Sequence, residues 1–398
     1  MPKKSLRDLT DLAGKRVLIR VDFNVPMAKD GSISNDRRIR GALPTIQYAL
    51  DKGASVILMS HLGRPTGNAE ADKPFRMDPI AKRLGELLGK TVTKADDVVG
   101  PSAQAAIAAI KPGDVVVLEN VRFHPDEQAK KPDAAYAKTL ASFGDVYVND
   151  AFGTAHRKDG SMYAVPDAMA GKPRVVGMLV AKELEILDNL LGSPKRPMLG
   201  ILGGAKVSDK IGFIKAMLSR VDQMIIGGAM NYTFMLALGQ TTGTSRVEKD
   251  KADLAKELLN LGKGKIVLPL DVLIADKPDA TANTQIVEGS IPEGWGGMDI
   301  GPKTIALYAD IIAKAGTIVW NGPMGKFEDE PFSKGTKAVA EAMAKSSATT
   351  IVGGGETAEA VEDFGLDTKM THVSTGGGAF LEYVEGTPFV ALTVIDEK

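Results

Sequence analysis

The sequence predicts an α/β protein made of two doubly wound parallel sheets, each carrying ligands at one edge. Three observations support this. At 398 residues the chain exceeds the roughly 250–300 at which a single core stops growing, so two domains are expected. Short β-branched runs alternate with longer helical patterns along the whole chain, the mark of parallel strands joined by crossover helices. A helical stretch with no flexible linker stands between two sets of such strands. The expected architecture is two Rossmann-like domains joined by a helix and hinge.

In the first half the strand candidates are KRVLIRVDFNVP (15–26), ASVILMSHLGRP (54–65), DVVVLENVRFHP (114–125) and DVYVNDAFGTAHR (145–157). Helical periodicity covers Arg38–Lys52, Met77–Leu88 and Asp133–Ser142 between them. VVGMLVAKELEILDNLLGSPKRP (175–197) is helical in period and stops at Gly192, Ser193 and Pro194. The second half gives strand candidates at 197–210, 223–230, 265–276, 317–328, 349–357 and 371–380. The domains are accordingly placed at 1–174 and 193–379, with 175–192 as the connecting helix.

Composition excludes several classes. The 49 basic and 50 acidic residues nearly cancel, so nucleic acid is not an expected partner. With no cysteine in the sequence, disulfides, thiolate metal sites and thiol nucleophiles are out. MPKKSLRDLTDLAGKR carries no apolar leader-type run and no stretch approaches 18 uninterrupted apolar residues. A cytoplasmic protein without membrane contact is expected.

Ligands of open parallel sheets bind at the carboxyl ends of the strands, and these tips differ between the halves. First-half tips carry Asp22, Asn24, His61, Arg64, Arg122, His124, His156 and Arg157. Clustered arginines suit a phosphate or carboxylate, and Asp22 and Asn24 suit a substrate hydroxyl. Taken singly each arginine reads as a surface ion pair; the set does not. Second-half tips are glycine clusters, GGAK, GGAM, NGPMG, GGGET and STGGGAF. Glycine admits backbone N–H groups to an anion, and a following helix N-terminus adds positive potential. The halves thus read as a small-polyanion site and a nucleotide site. Together they imply phosphoryl transfer, in which positioning and charge neutralisation dominate.

Other nucleotide signatures fit less well. GPMGKFE lacks the leading Gly and the Ser/Thr of a P-loop, and no HRD is present. Gly353, Gly355 and Ala358 meet a loose G-x-G-x-x-A pattern, but the acid expected about twenty residues on is missing from THVSTGGG. A dehydrogenase is kept as the enzymatic alternative.

The ordered segments RVDFNVP, SHLGRP, LENVRFH, DAFGTAHR, GGAKVSDK, WNGPMGKFE, GGGET and STGGGAFLE resemble the phosphoglycerate kinase family over essentially the whole chain. The resemblance implies Mg²⁺-dependent transfer between 1,3-bisphosphoglycerate and ADP, giving 3-phosphoglycerate and ATP. It implies substrate binding by Asp22, Phe23, Asn24, Arg38, His61, Leu62, Gly63, Arg64, Arg122 and Arg157, with Arg38, which directly precedes Ile39, as the catalytic arginine. Its neighbour Arg37 is expected to be solvated. Lys206 and Lys210 would meet the nucleotide phosphates, with Lys206 also near the moving group; placed four apart at a helix start, they are expected to share a face. Gly376 and Gly377 would present N–H groups to the transferring group in a closed state.

The same resemblance puts Ala205, Gly228, Gly297 and Pro323 around the adenine, and Asn321 and Glu328 near base and ribose. Gly354, Gly355, Glu356 and Thr357 would meet the phosphates. His124, His156 and His372 are assigned to structure. The family commonly has Asp at the metal position where this chain has Glu356; Glu keeps the charge, so Mg²⁺ binding is expected to survive with altered geometry. GPKTIALY (301–308) also departs from the family's usual form. The resemblance further implies a monomer, hinging near 180–191 and Ser374–Thr375, and a C-terminal stretch, 380–398, that returns to the first domain. A nucleotide-binding regulatory protein that kept the fold without the chemistry is the non-catalytic alternative. Retention of Arg38, Lys206, Lys210 and Asn321 speaks against it.

Overall fold

Parallel strands covered on both faces need side chains that tolerate complete burial, and the first sheet is built from runs of that kind. Its strands are β1 (Arg16–Val21), β2 (Ser55–Met59), β3 (Thr93–Lys94), β4 (Val115–Val117), β5 (Val146–Asp150) and β6 (Arg174–Val176). In this computed structural model, which describes residues 2–131 and 133–398, they pair in parallel in the order β3-β4-β2-β1-β5-β6. The chain leaves β1 toward β2 on one side and later adds β5 and β6 on the other. The order therefore reverses between β1 and β5, which opens a crevice at their carboxyl ends.

The second sheet repeats the plan with β7 (Met198–Leu202), β8 (Gln223–Ile226) and β9 (Ile266–Val267). An antiparallel insert follows: β10 (Asp271–Ala275), β11 (Thr284–Glu288) and β12 (Gly296–Ile300), in the order β11-β10-β12. Then come β13 (Thr317–Asn321), β14 (Thr349–Gly353) and β15 (His372–Val373), giving the parallel order β15-β14-β13-β7-β8-β9. Here the switch lies between β7 and β13. Trp320 is fully buried in this core and its indole N–H donates to the Gly322 carbonyl at 2.8 Å.

The chain divides into two units, Met1–Glu185 with Pro388–Lys398, and Ile186–Thr387. The first division falls inside the helix Met178–Gly192, where the sequence pattern suggested boundaries at 174/175 and 192/193. The segment 380–398 is split as well. Helix Gly378–Glu385 belongs to the second unit, because Phe380 packs against Gly353 and Phe213. The first unit receives the chain from Pro388 onward, through backbone bonds Asp396 N–H to Arg174 O and Lys4 N–H to Asp396 O, both 2.8 Å.

Two element readings also differ. Residues 265–276 are not one strand but β9 and β10 in different sheets, separated around Pro269, which has no N–H for a ladder. The helix expected from 175 begins at Met178, because Val175 and Val176 pair with Val148 and Asn149 in β6.

Candidate active site

The loop after β1 brings Asp22, Phe23 and Asn24 to the carboxyl edge of the first sheet, and backbone contacts fix it there. Phe23 N–H donates to Ser60 Oγ at 2.8 Å, and Asn24 Oδ1 accepts from Gly63 N–H at 2.7 Å. The β1 and β2 tips are thus tied together. Gly63 has φ +61°, and a Cβ there would lie 2.3 Å from the Phe75 ring, so the turn between His61 and Arg64 requires glycine. Arg122 Nη1 donates to the Gly63 carbonyl at 2.7 Å. Asn120 Nδ2 donates to Leu62 O at 2.7 Å and its Oδ1 accepts from Arg122 N–H at 3.1 Å. The tips of β1, β2 and β4 therefore form one cross-linked surface carrying Asp22, Asn24, His61 and Arg122.

Charge on this surface is strongly biased. Arg38, at the start of helix Arg37–Asp51, pairs with Asp22 at 2.7 Å. Burial opposes ionisation of Asp22, but Arg38, His61 and Arg20 outweigh it and hold the carboxyl below its usual range. His61 is buried; desolvation, then Arg20, push its pKa down to about 3, with Arg122 and Arg157 adding to the effect against Asp22. It is a neutral imidazole at physiological pH. Arg20 Nη2 faces His61 Nδ1 at 3.3 Å, and since arginine can only donate, the ring proton sits on Nε2. Arg157 Nε contacts His156 Nε2 at 3.3 Å, and Arg64 is exposed. Arg37, expected to be solvated, is half-buried.

Arg20 itself escaped the sequence reading. It is fully buried in β1, donates to Ser161 Oγ at 2.7 Å and to the Val21 carbonyl, and lies in the field of Glu127. The available signal was a lone arginine inside an apolar strand, RVLIRV, since a buried charge requires partners.

In the second unit the tips of β7, β8 and β13 interlock through backbone. Gly204 N–H donates to Pro323 O at 2.9 Å, and Gly228 N–H to Met324 O at 2.8 Å. Gly228 has φ +63°, and a Cβ there would lie 2.4 Å from Gly204 N. These bonds bring together Gly204 and its neighbour Ala205, Gly228, and Pro323. Asn321 Nδ2 donates to Gly353 O at 2.9 Å, and Thr357 Oγ1 accepts from Gly322 N–H at 2.6 Å, tying β13 to the start of helix Gly355–Asp363. Gly354 caps that helix, and nothing lies within 4 Å of where a Gly355 Cβ would stand, so its N-terminal face is open. Gly376 and Gly377 precede helix Gly378–Glu385 in the same manner, with Gly376 N–H on Ser374 Oγ at 3.1 Å. Gly297 lies on the antiparallel insert against the Tyr232 ring, and Glu328 is exposed beyond β13.

The shared helical face expected for Lys206 and Lys210 is not formed, because the helix begins only at Ile211. Lys206 is exposed, whereas Lys210 turns inward, donating to Gly203 O at 2.8 Å and Asn321 O at 3.2 Å. Burial lowers its pKa to about 8, against the pull of Glu356 and Asp209.

Glu356 is exposed in the first turn of its helix. Glu359, one turn on, has its pKa raised by burial and by the carboxylates of Asp363, Glu328 and Glu356. A single carboxylate beside bound phosphates is a donor set that Mg²⁺ accepts. Among the described residues no three His, Cys, Asp or Glu side chains converge as a metal cage. Protein ligation would thus come from Glu356, with phosphates and water completing the shell.

The known proteins similar to this chain belong to one family. The phosphoglycerate kinase family model matches residues 6–387. A curated phosphoglycerate kinase from Rhodopirellula baltica is 53% identical over 400 residues, covering 100% of both chains. The solved phosphoglycerate kinase of Coxiella burnetii superposes with TM-score 0.85 at 40% identity, over 99% of this chain and 98% of that one. That of Pyrococcus horikoshii gives 0.85 at 33%, with the same coverage. No helix among the described residues is long and apolar enough to cross a membrane. The chain belongs to the phosphoglycerate kinase family and is a kinase.

Proposed function

We propose that the protein transfers a phosphoryl group reversibly between the acyl position of 1,3-bisphosphoglycerate and ADP, with Mg²⁺, yielding 3-phosphoglycerate and ATP. The observation that carries this is the pairing of one cationic, cross-linked strand edge with one glycine-rich edge holding an inward lysine. Asp22, Asn24, His61, Arg64, Arg122 and Arg157 bind the phosphoglycerate, with the loop residues Phe23, Leu62 and Gly63 shaping their frame. Neutral His61 donates through Nε2 without adding a titrating charge. In the direction of ATP consumption the acceptor is a carboxylate, ionised at neutral pH given a carboxyl pKa of about 4, so no general base is needed.

Arg38 stabilises charge on the transferring oxygens, Lys206 follows the moving group, and Lys210 and the amides of Gly354 and Gly355 meet the nucleotide phosphates. Gly376 and Gly377 add N–H donors. Ala205, Gly228, Gly297, Asn321, Pro323 and Glu328 hold the nucleoside, and Thr357 steadies the phosphate loop through Gly322. Glu356 holds the metal, which when bound neutralises phosphate charge. A Glu356→Gln variant is expected to need about tenfold more Mg²⁺ for half-maximal rate, the order seen when metal-site support is lost; an unchanged requirement removes Glu356 from that role.

Transfer needs both ligands in one water-free space, so the two units close when both are bound. Solution scattering with and without both ligands tests this, and unchanged dimensions count against it. The protein acts as a cytoplasmic glycolytic monomer, a state that sedimentation at working concentration checks. The decisive assay is ADP formation from ATP and Mg²⁺ as 3-phosphoglycerate is varied, with a dehydrogenase drawing off the acyl phosphate. Turnover independent of 3-phosphoglycerate, or none at all, rejects this function.

A further inference from the structure

Behind the phosphoglycerate edge lies a buried polar chain that the proposed chemistry does not use. Glu127 is fully buried and accepts from Ser161 N–H at 2.8 Å, Ser161 Oγ–H at 2.6 Å and Tyr136 O–H at 2.9 Å. Ser161 Oγ, having given its proton to Glu127, accepts from Arg20 Nε at 2.7 Å. Arg20 Nη2 in turn meets His61 Nδ1 at 3.3 Å. Each link has one allowed direction: carboxylate only accepts, guanidinium only donates, and the hydroxyl does one of each.

We propose that Glu127 is a positioning residue for substrate binding: acting through Ser161 and Arg20, it fixes His61 as the Nε2–H tautomer that faces the phosphoglycerate. This rests on the function proposed above. Without the Glu127 charge, Ser161 loses the acceptor that orients its hydroxyl, and Arg20 is left as a buried cation with no anion along this chain. Arg20 then keeps only its bond to the Val21 carbonyl, its aim at Nδ1 is loosened, and His61 can take either tautomer. Asp22, Arg122 and Arg157 also face His61, and Asp159 lies near Glu127, but none of them is a link in this chain of donors.

The chain has four histidines, so the His61 ring nitrogens can be assigned by ¹⁵N NMR against a His61→Gln control. In the wild-type protein Nδ1 is expected bare and Nε2 protonated between about pH 6 and 8. In Glu127→Gln the two nitrogen shifts move toward each other. KM for 3-phosphoglycerate rises about tenfold, the loss of about one hydrogen bond, while KM for ATP stays unchanged. Glu127→Asp restores part of both effects. If Glu127→Gln does not fold, Ser161→Ala, which cuts the same chain with a smaller change, is read instead. A folded variant with His61 nitrogens as in the wild type overturns the proposal, even if KM has risen. The NMR reading needs no turnover, so a failed kinase assay would reject the function without imitating that result.

Discussion

Asp22 Oδ2 and Arg38 Nη1 form an ion pair of 2.7 Å that joins the loop after β1 to the first turn of helix Arg37–Asp51. The Arg38 side chain keeps 36% of its exposure and that of Asp22 only 13%. The arginine is therefore held through one guanidinium nitrogen by a largely buried anion while part of it stays open to a ligand. A partly exposed pair adds little to stability; its effect is to preorganise the guanidinium.

Arg38→Ala is expected to lower kcat by at least about 10³, the range for arginines that stabilise phosphoryl charge, with the fold unchanged by circular dichroism. Arg38→Lys keeps the charge but not the planar fork, so it recovers only part of the loss. Asp22→Asn leaves Arg38 unrestrained and raises KM for 3-phosphoglycerate. A kcat for Arg38→Ala within tenfold of wild type would remove Arg38 from the chemistry.

Gly228→Ala tests the interlocked tips of β7, β8 and β13. The new Cβ would meet Gly204 N at 2.4 Å, Gly204 O at 2.7 Å and Pro323 O at 2.8 Å, all backbone, with φ at +63°. Nothing there can rotate away, so overpacking and left-handed strain together should cost about 2–4 kcal/mol. Urea unfolding followed by the fluorescence of Trp295 and Trp320 reads the same unit. A midpoint equal to wild type would mean that the loops separate more easily than their contacts suggest.

The repeating strand–helix pattern and the strand-tip residues were legible because each leaves a local mark. Val56–Met59 reads as a buried strand, and the His61–Arg64 turn can only be a tip. Non-local features were not legible. The register that sets Arg20 beside His61 comes from the pairing of β1 with β2, which no window of sequence contains. Glu127, in a polar stretch, reads as a solvated acid, yet it is fully buried because Arg20, Tyr136 and Ser161 enclose it. The shared helical face of Lys206 and Lys210 fails for a related reason. Spacing alone cannot say that a short 3₁₀ turn, Ser208–Lys210, precedes the helix. The antiparallel insert was missed because its β11 is largely exposed and its β10 runs on from β9 without a polar break.

Lys210 gives a pH signature. Burial places its pKa near 8, so raising the pH through 8 removes the charge that would meet nucleotide phosphate. The profile of kcat/KM for ATP reports ionisations of the free enzyme and is expected to fall with an inflection near pH 8. Lys210→Arg keeps its charge throughout this range and should carry the decline to higher pH. The same inflection in both proteins would assign it to another group.

Asp150 gives a stability signature of known sign. It ends β5, is fully buried, and its Oδ1 accepts from Leu179 N–H at 3.0 Å and Val180 N–H at 3.3 Å in the first turn of helix Met178–Gly192. Oδ2 makes no hydrogen bond of ordinary geometry, and the Thr45 side chain, with the two N–H groups, opposes the effect of burial. Burial raises its pKa to about 7, against about 3.9 for an unfolded aspartate. Between these values the folded chain holds a proton that the unfolded chain has released. Stability from this group is therefore full below about pH 4, falls as pH rises toward 7, and is level above. Asp150→Asn keeps the accepting oxygen and puts an uncharged amide where Oδ2 stands, so it does not titrate. Its stability relative to wild type should climb between pH 4 and pH 7 and then hold steady, as read by urea unfolding followed by circular dichroism at each pH. Asp299, whose pKa burial also raises to about 7, is present in both proteins and cancels in the difference. Parallel curves for the two proteins would show that Asp150 stays ionised in the folded chain, held by the helix N-terminus against its burial.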